Sequence, residues 1–322
     1  MIPVPPRRRV LLFFIDGIGV GPADSTTNPL AAPQRPVLRL TETETPRSAT
    51  AGAPAFARGV DASLGIPGLP QSATGQTAIL TGVNAPAAMG RHVSGLPGPT
   101  LRRILAESSL LKELTEQGRN ATFLNAFGPR FFETEPPLRR LSATTLATLA
   151  AGVPLRNWED LTEGRAVVHD LTHWRMRDYG FDLPRREPEE AGAIIAREAM
   201  RADFSLFEYF ETDRAAHAMD RATADRCLDD LSAALETVLA QADLRELLVL
   251  VASDHGNLED LRVKTHTKNP AFFAAWGAWD GLPEPRSLLD IAPLVREALG
   301  VARPASNRSA PPGGAAGATE DA

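Results

Sequence analysis

Aspartate and histidine side by side, as in Asp254-His255-Gly256-Asn257, are poor interior material, because each needs a polar partner if it is buried. They are good material for holding a metal ion. A second such pairing is Asp213 and His217, four residues apart. On a helix that spacing puts both side chains on one face. Asp16 ends another apolar run, and His266 lies in Lys264-Thr265-His266-Thr267-Lys268-Asn269-Pro270. Mixed carboxylate and imidazole donors suit Zn²⁺ or Mn²⁺. Each residue alone has a plainer explanation. An aspartate at a strand tip more often caps the next helix, and a lone histidine is more often a satisfied structural group.

A hydroxyl stands in a chemically useful place as well. In residues 65–82, Gly and Pro dominate up to Pro70, and a helical pattern starts at Ser72 and closes at Gly82. Unpaired backbone N–H groups at a helix start attract anions and help a hydroxyl lose its proton.

The elements that must position these groups are short apolar runs alternating with amphipathic stretches. Residues 10–15, Phe204–Tyr209, Leu247–Ala252 and 271–276 read as buried strands, three of them ending at the acids above. Segments 121–127 and 166–170 also read as strands. Helices are expected over 101–114, 141–151, 188–200, a long stretch through Leu228–Leu239, and 287–299. The alternation predicts an α/β fold with a mostly parallel central sheet and helices on both faces. Open α/β sheets place their sites at the carboxyl tips of the strands. Residues 21–60, rich in Pro, Ala and Thr, read as a surface excursion near the site. Residues 303–322 read as a disordered tail, so the expected domain is 1–302.

Composition narrows the partners. The 43% hydrophobic and 23% charged content is that of a chain with a proper core. A net charge of -6 gives no basic surplus for nucleic acid or an anionic membrane. No stretch approaches the ~20 apolar residues of a membrane span. The apolar run after Arg7-Arg8-Arg9 is too short for a signal peptide. The lone Cys227 excludes an intramolecular disulfide. A cytoplasmic enzyme is expected, with oligomeric state open.

Taken together the motifs resemble the alkaline phosphatase superfamily, in its metalloenzyme branch with cofactor-independent phosphoglycerate mutase and phosphopentomutase. The matching segments are Ile15-Asp16-Gly17, Gln71-Ser72-Ala73-Thr74-Gly75-Gln76, the Asp213 to His217 pair, Asp254-His255-Gly256-Asn257, His266-Thr267-Lys268-Asn269-Pro270 and Leu289-Asp290-Ile291-Ala292-Pro293. The resemblance implies a three-layer alkaline-phosphatase-like core and two divalent metal ions, Mn or Zn. It implies that Asp16, Ser72, Asp254 and His255 hold one ion, that Asp213, His217 and His266 hold the other, and that Ser72 is the nucleophile.

The implied activity is phosphoryl transfer through a phosphoserine-type intermediate, with hydrolysis of a small phosphorylated metabolite expected first. A phosphomutase of a sugar or glycerate phosphate is the alternative, and a non-catalytic, metal-stabilised binding protein is the third reading. The mutases carry a sizeable cap after the nucleophile; here a lid is confined to 128–187. Arg91 and His92 are candidate contacts for the substrate phosphate. Gln76 stands where the mutases have histidine.

Overall fold

Residues 10–15 bury their side chains on both faces, as a strand covered on two sides must. This strand, β1 (Arg9–Ile15), lies at the middle of a six-stranded sheet. The others are β2 (Phe56–Val60), β3 (Ala121–Phe123), β4 (Phe204–Tyr209), β5 (Leu247–Ala252) and β6 (Ala271–Gly277), in the order β2-β6-β5-β1-β4-β3. A computed structural model describes residues 8–134 and 137–302; the expected tail lies outside them.

The four strands β5, β1, β4 and β3 run parallel. Strand β6 runs antiparallel to β5 and pairs with β2 at the edge. The connection from β5 to β6 contains no helix, so it cannot carry the chain back for a parallel crossover.

Alternate residues of β1 feed two cores. Val10, Leu12 and Phe14 face the helices Ser72–Thr81, Leu110–Glu116, Ala143–Ala150 and Ile291–Ala298. Leu11, Phe13 and Ile15 face Pro188–Ala199 and Arg221–Gln241. The result is the expected three-layer α/β architecture. Among the described residues no helix is long and apolar enough to cross a membrane.

Three local readings are corrected. The 21–60 stretch is not a surface loop: Leu30, Val37 and Leu38 are buried, and Arg35 is sealed against Asp225 and Asp229 of the long helix at 2.8 and 2.7 Å. Its last residues form β2. The strand expected at 121–127 stops at Phe123, because the Asn125 side chain takes over the pairing: its amide donates to the Glu208 carbonyl and accepts from the Glu208 N–H. The strand expected at 166–170 shrinks to one bridge between Asn125 and Val167. Asp170 turns the chain there, its carboxylate accepting from the N–H groups of His173, Arg175 and Met176. The expected helix 141–151 is present as Ala143–Ala150 and packs on Pro99–Ser108, so this part of 128–187 is core.

Candidate metal centre and active site

Adjacent parallel strands bring the acids together. Asp16 follows β1, Asp254 lies two residues past β5, and Asp213 sits in the first turn of the helix Glu211–Ala218 that follows β4. In one cluster His255 Nε2 stands 3.3 Å from Asp16 Oδ1 and 3.6 Å from Asp254 Oδ2. In the other His217 Nε2 is 3.3 Å from Asp213 Oδ2, and His266 Nε2 is 3.6 Å from Asp213 Oδ1. The donor atoms of each triad lie within 4.8 Å of one another. The rings of His255 and His266 stack at 3.7 Å, so the clusters are neighbours. Ser72, the first residue of its helix, places Oγ 3.0 Å from His255 Nε2.

Close packing needs the glycines of the two motifs. Gly17 has φ +72°, and a methyl group there would sit 2.7 Å from Asp213 Oδ1. A methyl on Gly75 would meet Asp254 Cβ at 2.9 Å.

Residues 178–303 match the family model of the Metalloenzyme superfamily. Two solved structures share the fold. The PH0037 protein from Pyrococcus horikoshii aligns over 97% of this chain and 100% of that chain, with TM-score 0.54 and 14% identity. A protein in the alkaline phosphatase superfamily from Vibrio parahaemolyticus aligns over 92% of this chain and 68% of that chain, with TM-score 0.51 and 14% identity. Over residues 178–303 the chain is similar to the Metalloenzyme superfamily. No curated protein matches it. At such identities the structural likeness speaks for the fold alone.

The donor sets of this chain fit divalent ions on their own terms. His217 and His266 donate Nδ1–H to the carbonyls of Lys264 and Pro70, at 2.8 and 2.7 Å. That fixes the tautomer and leaves both Nε2 lone pairs facing each other at 3.1 Å, an arrangement a cation relieves. Burial and the charge of His255 push His266 down to about 4, so its ring is neutral and ligand-ready. Asp16 Oδ1 is buried with no aligned hydrogen bond. Burial, then the charges of Asp254 and Asp213, raise the Asp16 carboxyl well above its ordinary range. Burial also disfavours the His255 imidazolium, but the carboxylates of Asp254 and Asp16 beside it outweigh that and push its pKa up to about 10. The carboxylates demand positive charge at this place, and a divalent ion supplies it without a proton.

Several residues take positioning roles that the sequence did not assign. Gln76 donates its amide to Asp16 Oδ2 at 3.0 Å and Asp254 Oδ2 at 3.3 Å, bridging the carboxylates. Asn257 donates to Asp213 Oδ1 at 2.7 Å. Glu259, fully buried, accepts from the N–H groups of Gly19 and Asn257 and from the Asn269 amide, with a short contact to Thr267. It pins the loops after β1 and β5 together. The one available signal was a lone acid between Asp254-His255-Gly256-Asn257 and His266.

A cavity of about 480 Å³ opens over Ser72, Asp16 and Asp213, with Arg140 and Arg214 in its wall. Arg91 and His92 are not among its lining residues. Arg91 is exposed, and His92 Nε2 bonds the Ile66 carbonyl at 3.1 Å.

Proposed function

We propose that the chain is a two-metal phosphoryl-transfer enzyme whose first activity is hydrolysis of a small phosphomonoester. The observation that carries this reading is Ser72 Oγ beside two adjoining triads of metal-ligand type. Asp16, Asp254 and His255, with Ser72, would hold one ion, and Asp213, His217 and His266 the other; Mn²⁺ and Zn²⁺ both suit these donors. When bound, the ions supply positive charge for the transferring oxygens and for the oxygens that attack phosphorus.

The chain's own groups account for the rest. Ser72 Oγ attacks phosphorus, the P–O bond to the alcohol breaks, and the alcohol leaves with a proton. The helix start at Ser72 favours the alkoxide over the hydroxyl. Arg140 and Arg214 face the same cavity, placed for non-bridging phosphoryl oxygens. Water then attacks the phosphoserine, releasing phosphate and restoring the hydroxyl. Residues 127–134, 137–142 and 169–181 contribute walls to this cavity and the one beside it, and would act as its lid. We place the enzyme in the cytoplasm, consistent with its free, buried Cys227.

Activity is expected on an activated aryl phosphate with added Mn²⁺ or Zn²⁺. Ser72→Ala should lower turnover at least ~10³-fold while both ions still titrate into the protein. Full turnover in that variant refutes the assigned nucleophile. Isomer formation without free phosphate, on sugar or glycerate phosphates, would mark the phosphomutase instead. Metal binding with no turnover across an ester panel would mark the non-catalytic binding protein.

A further inference from the structure

The cavity over Ser72 continues into a second chamber of about 450 Å³. The two share the walls Phe127, Phe131, Phe210, Ser142, Thr145 and Glu208. Each volume is that of a pocket for a small organic molecule.

The shared wall is aromatic and built as a unit. Phe127 and Phe131 pack with ring centroids 4.5 Å apart, and Phe123 lies 6.1 Å beyond Phe127. Phe210 is fixed by stacking on His169 at 4.3 Å. Such faces favour a flat ring in offset or edge-on contact. Phe181 and Met176 complete the far chamber.

Charge argues the same way. Among the described residues the basic groups lining the far chamber are His169, held by Glu211 at 3.2 Å, and Arg130 on its exposed edge. Glu208 stands in the shared wall, beside Asp16 and Asp213 in the near chamber. A second anionic group reaching the far chamber would find, among the described residues, only His169, already held by Glu211, and the exposed-edge Arg130 as cationic lining partners.

The mouth is apolar as well. Leu96 lines the near chamber yet is 47% exposed, and Phe132, 43% exposed, packs edge-on against Phe131 at 5.5 Å. Exposed apolar side chains beside a cavity suit an apolar ligand.

We infer that the substrate is the phosphate monoester of an uncharged alcohol bearing a flat apolar ring, with the phosphoryl group at Ser72 and the ring among Phe127, Phe131 and Phe210. This rests on the phosphoryl-transfer reading and adds the leaving group to it. Sugar and glycerate phosphates, polar or doubly charged, are disfavoured.

The test compares 2-(2-naphthyl)ethyl phosphate with ethyl phosphate on the metal-loaded enzyme. The two alcohols released are of similar acidity, so chemistry is matched and the pocket is read. Burying the ring should give a kcat/KM ratio of roughly 30-fold. Phe131→Ala should bring that ratio close to one, whereas Leu149→Ala, exposed and off the cavity, should keep it. A second arm titrates 2-(2-naphthyl)ethanol into the protein by calorimetry without added metal. Wild type should bind it, and Phe131→Ala should bind it at least ~10-fold more weakly. Turnover of both esters at equal kcat/KM overturns the ring pocket and leaves the phosphoryl-transfer reading standing. No turnover of any ester, with the alcohol bound and Phe131 required, overturns that reading and supports the pocket. Equal binding of the alcohol to both proteins, or none to either, overturns the pocket.

Discussion

Gly17→Ala probes the metal centre through the backbone. The native residue has φ +72°, a region that costs an alanine about 1–2 kcal/mol. Gly52 provides the control, because its φ is +71° and a methyl there meets nothing within 4 Å. Gly52→Ala should therefore show the backbone cost alone, a Tm drop of roughly 2–6 °C for a chain of this size. At Gly17 the new methyl would lie 2.7 Å from Asp213 Oδ1 and 2.8 Å from Asp213 Cβ, closer than real methyl contacts allow. Asp213 must move, and with it the 2.7 Å bond from Asn257. Overpacking of this kind adds about 1–3 kcal/mol. The displaced carboxylate should also weaken metal binding ~10–100-fold, the usual effect of disturbing a ligand's support. Thermal unfolding with and without Mn²⁺, and calorimetric titration of the ion, read the two costs separately. If Gly17→Ala and Gly52→Ala show the same Tm and the same metal affinity, the close approach of β1's tip to Asp213 does not set the site.

Asn257→Ala should lower affinity at the Asp213, His217 and His266 cluster about 10-fold or more, with a smaller effect on the other, by the same titration. Burial, opposed by the Thr144 hydrogen bond and aided by Asp254, raises the Glu208 carboxyl from 4.5 to about 7. The folded chain then holds a proton that the unfolded chain has released, so stability present below pH 4.5 is lost as pH rises toward about 7. Glu208→Gln should flatten that fall by up to about 3 kcal/mol, and identical denaturation profiles from pH 4 to 8 in chelator would contradict the assignment. Burial pushes the Cys227 thiol up to about 12, so a thiol reagent at pH 8 should label it only after unfolding. Rapid labelling of the native chain would show that the Arg221–Gln241 helix face is open.

The sequence by itself determined the strands that matter and the chemistry at their tips. Phe204–Tyr209 and Leu247–Ala252 are continuous apolar runs, and a buried parallel strand leaves that plain mark. Asp16, Asp213, Asp254, His217, His255 and His266 stood out because paired carboxylate and imidazole groups make no sense in a core without a partner. Tertiary structure alone decided the rest. Gln76 is marked in sequence only by standing where the mutases have histidine, and its role appears only because β1 and β5 bring Asp16 and Asp254 under its amide. Glu259 is an ordinary acid until three loops converge on it. The aromatic chambers draw on Phe127, Phe131, Phe181 and Phe210, which sit in or beside the loops that link the predicted elements. Their meeting follows from where Asn125 and Asp170 break the strands, a balance of side-chain and backbone hydrogen bonds that no period in the sequence records.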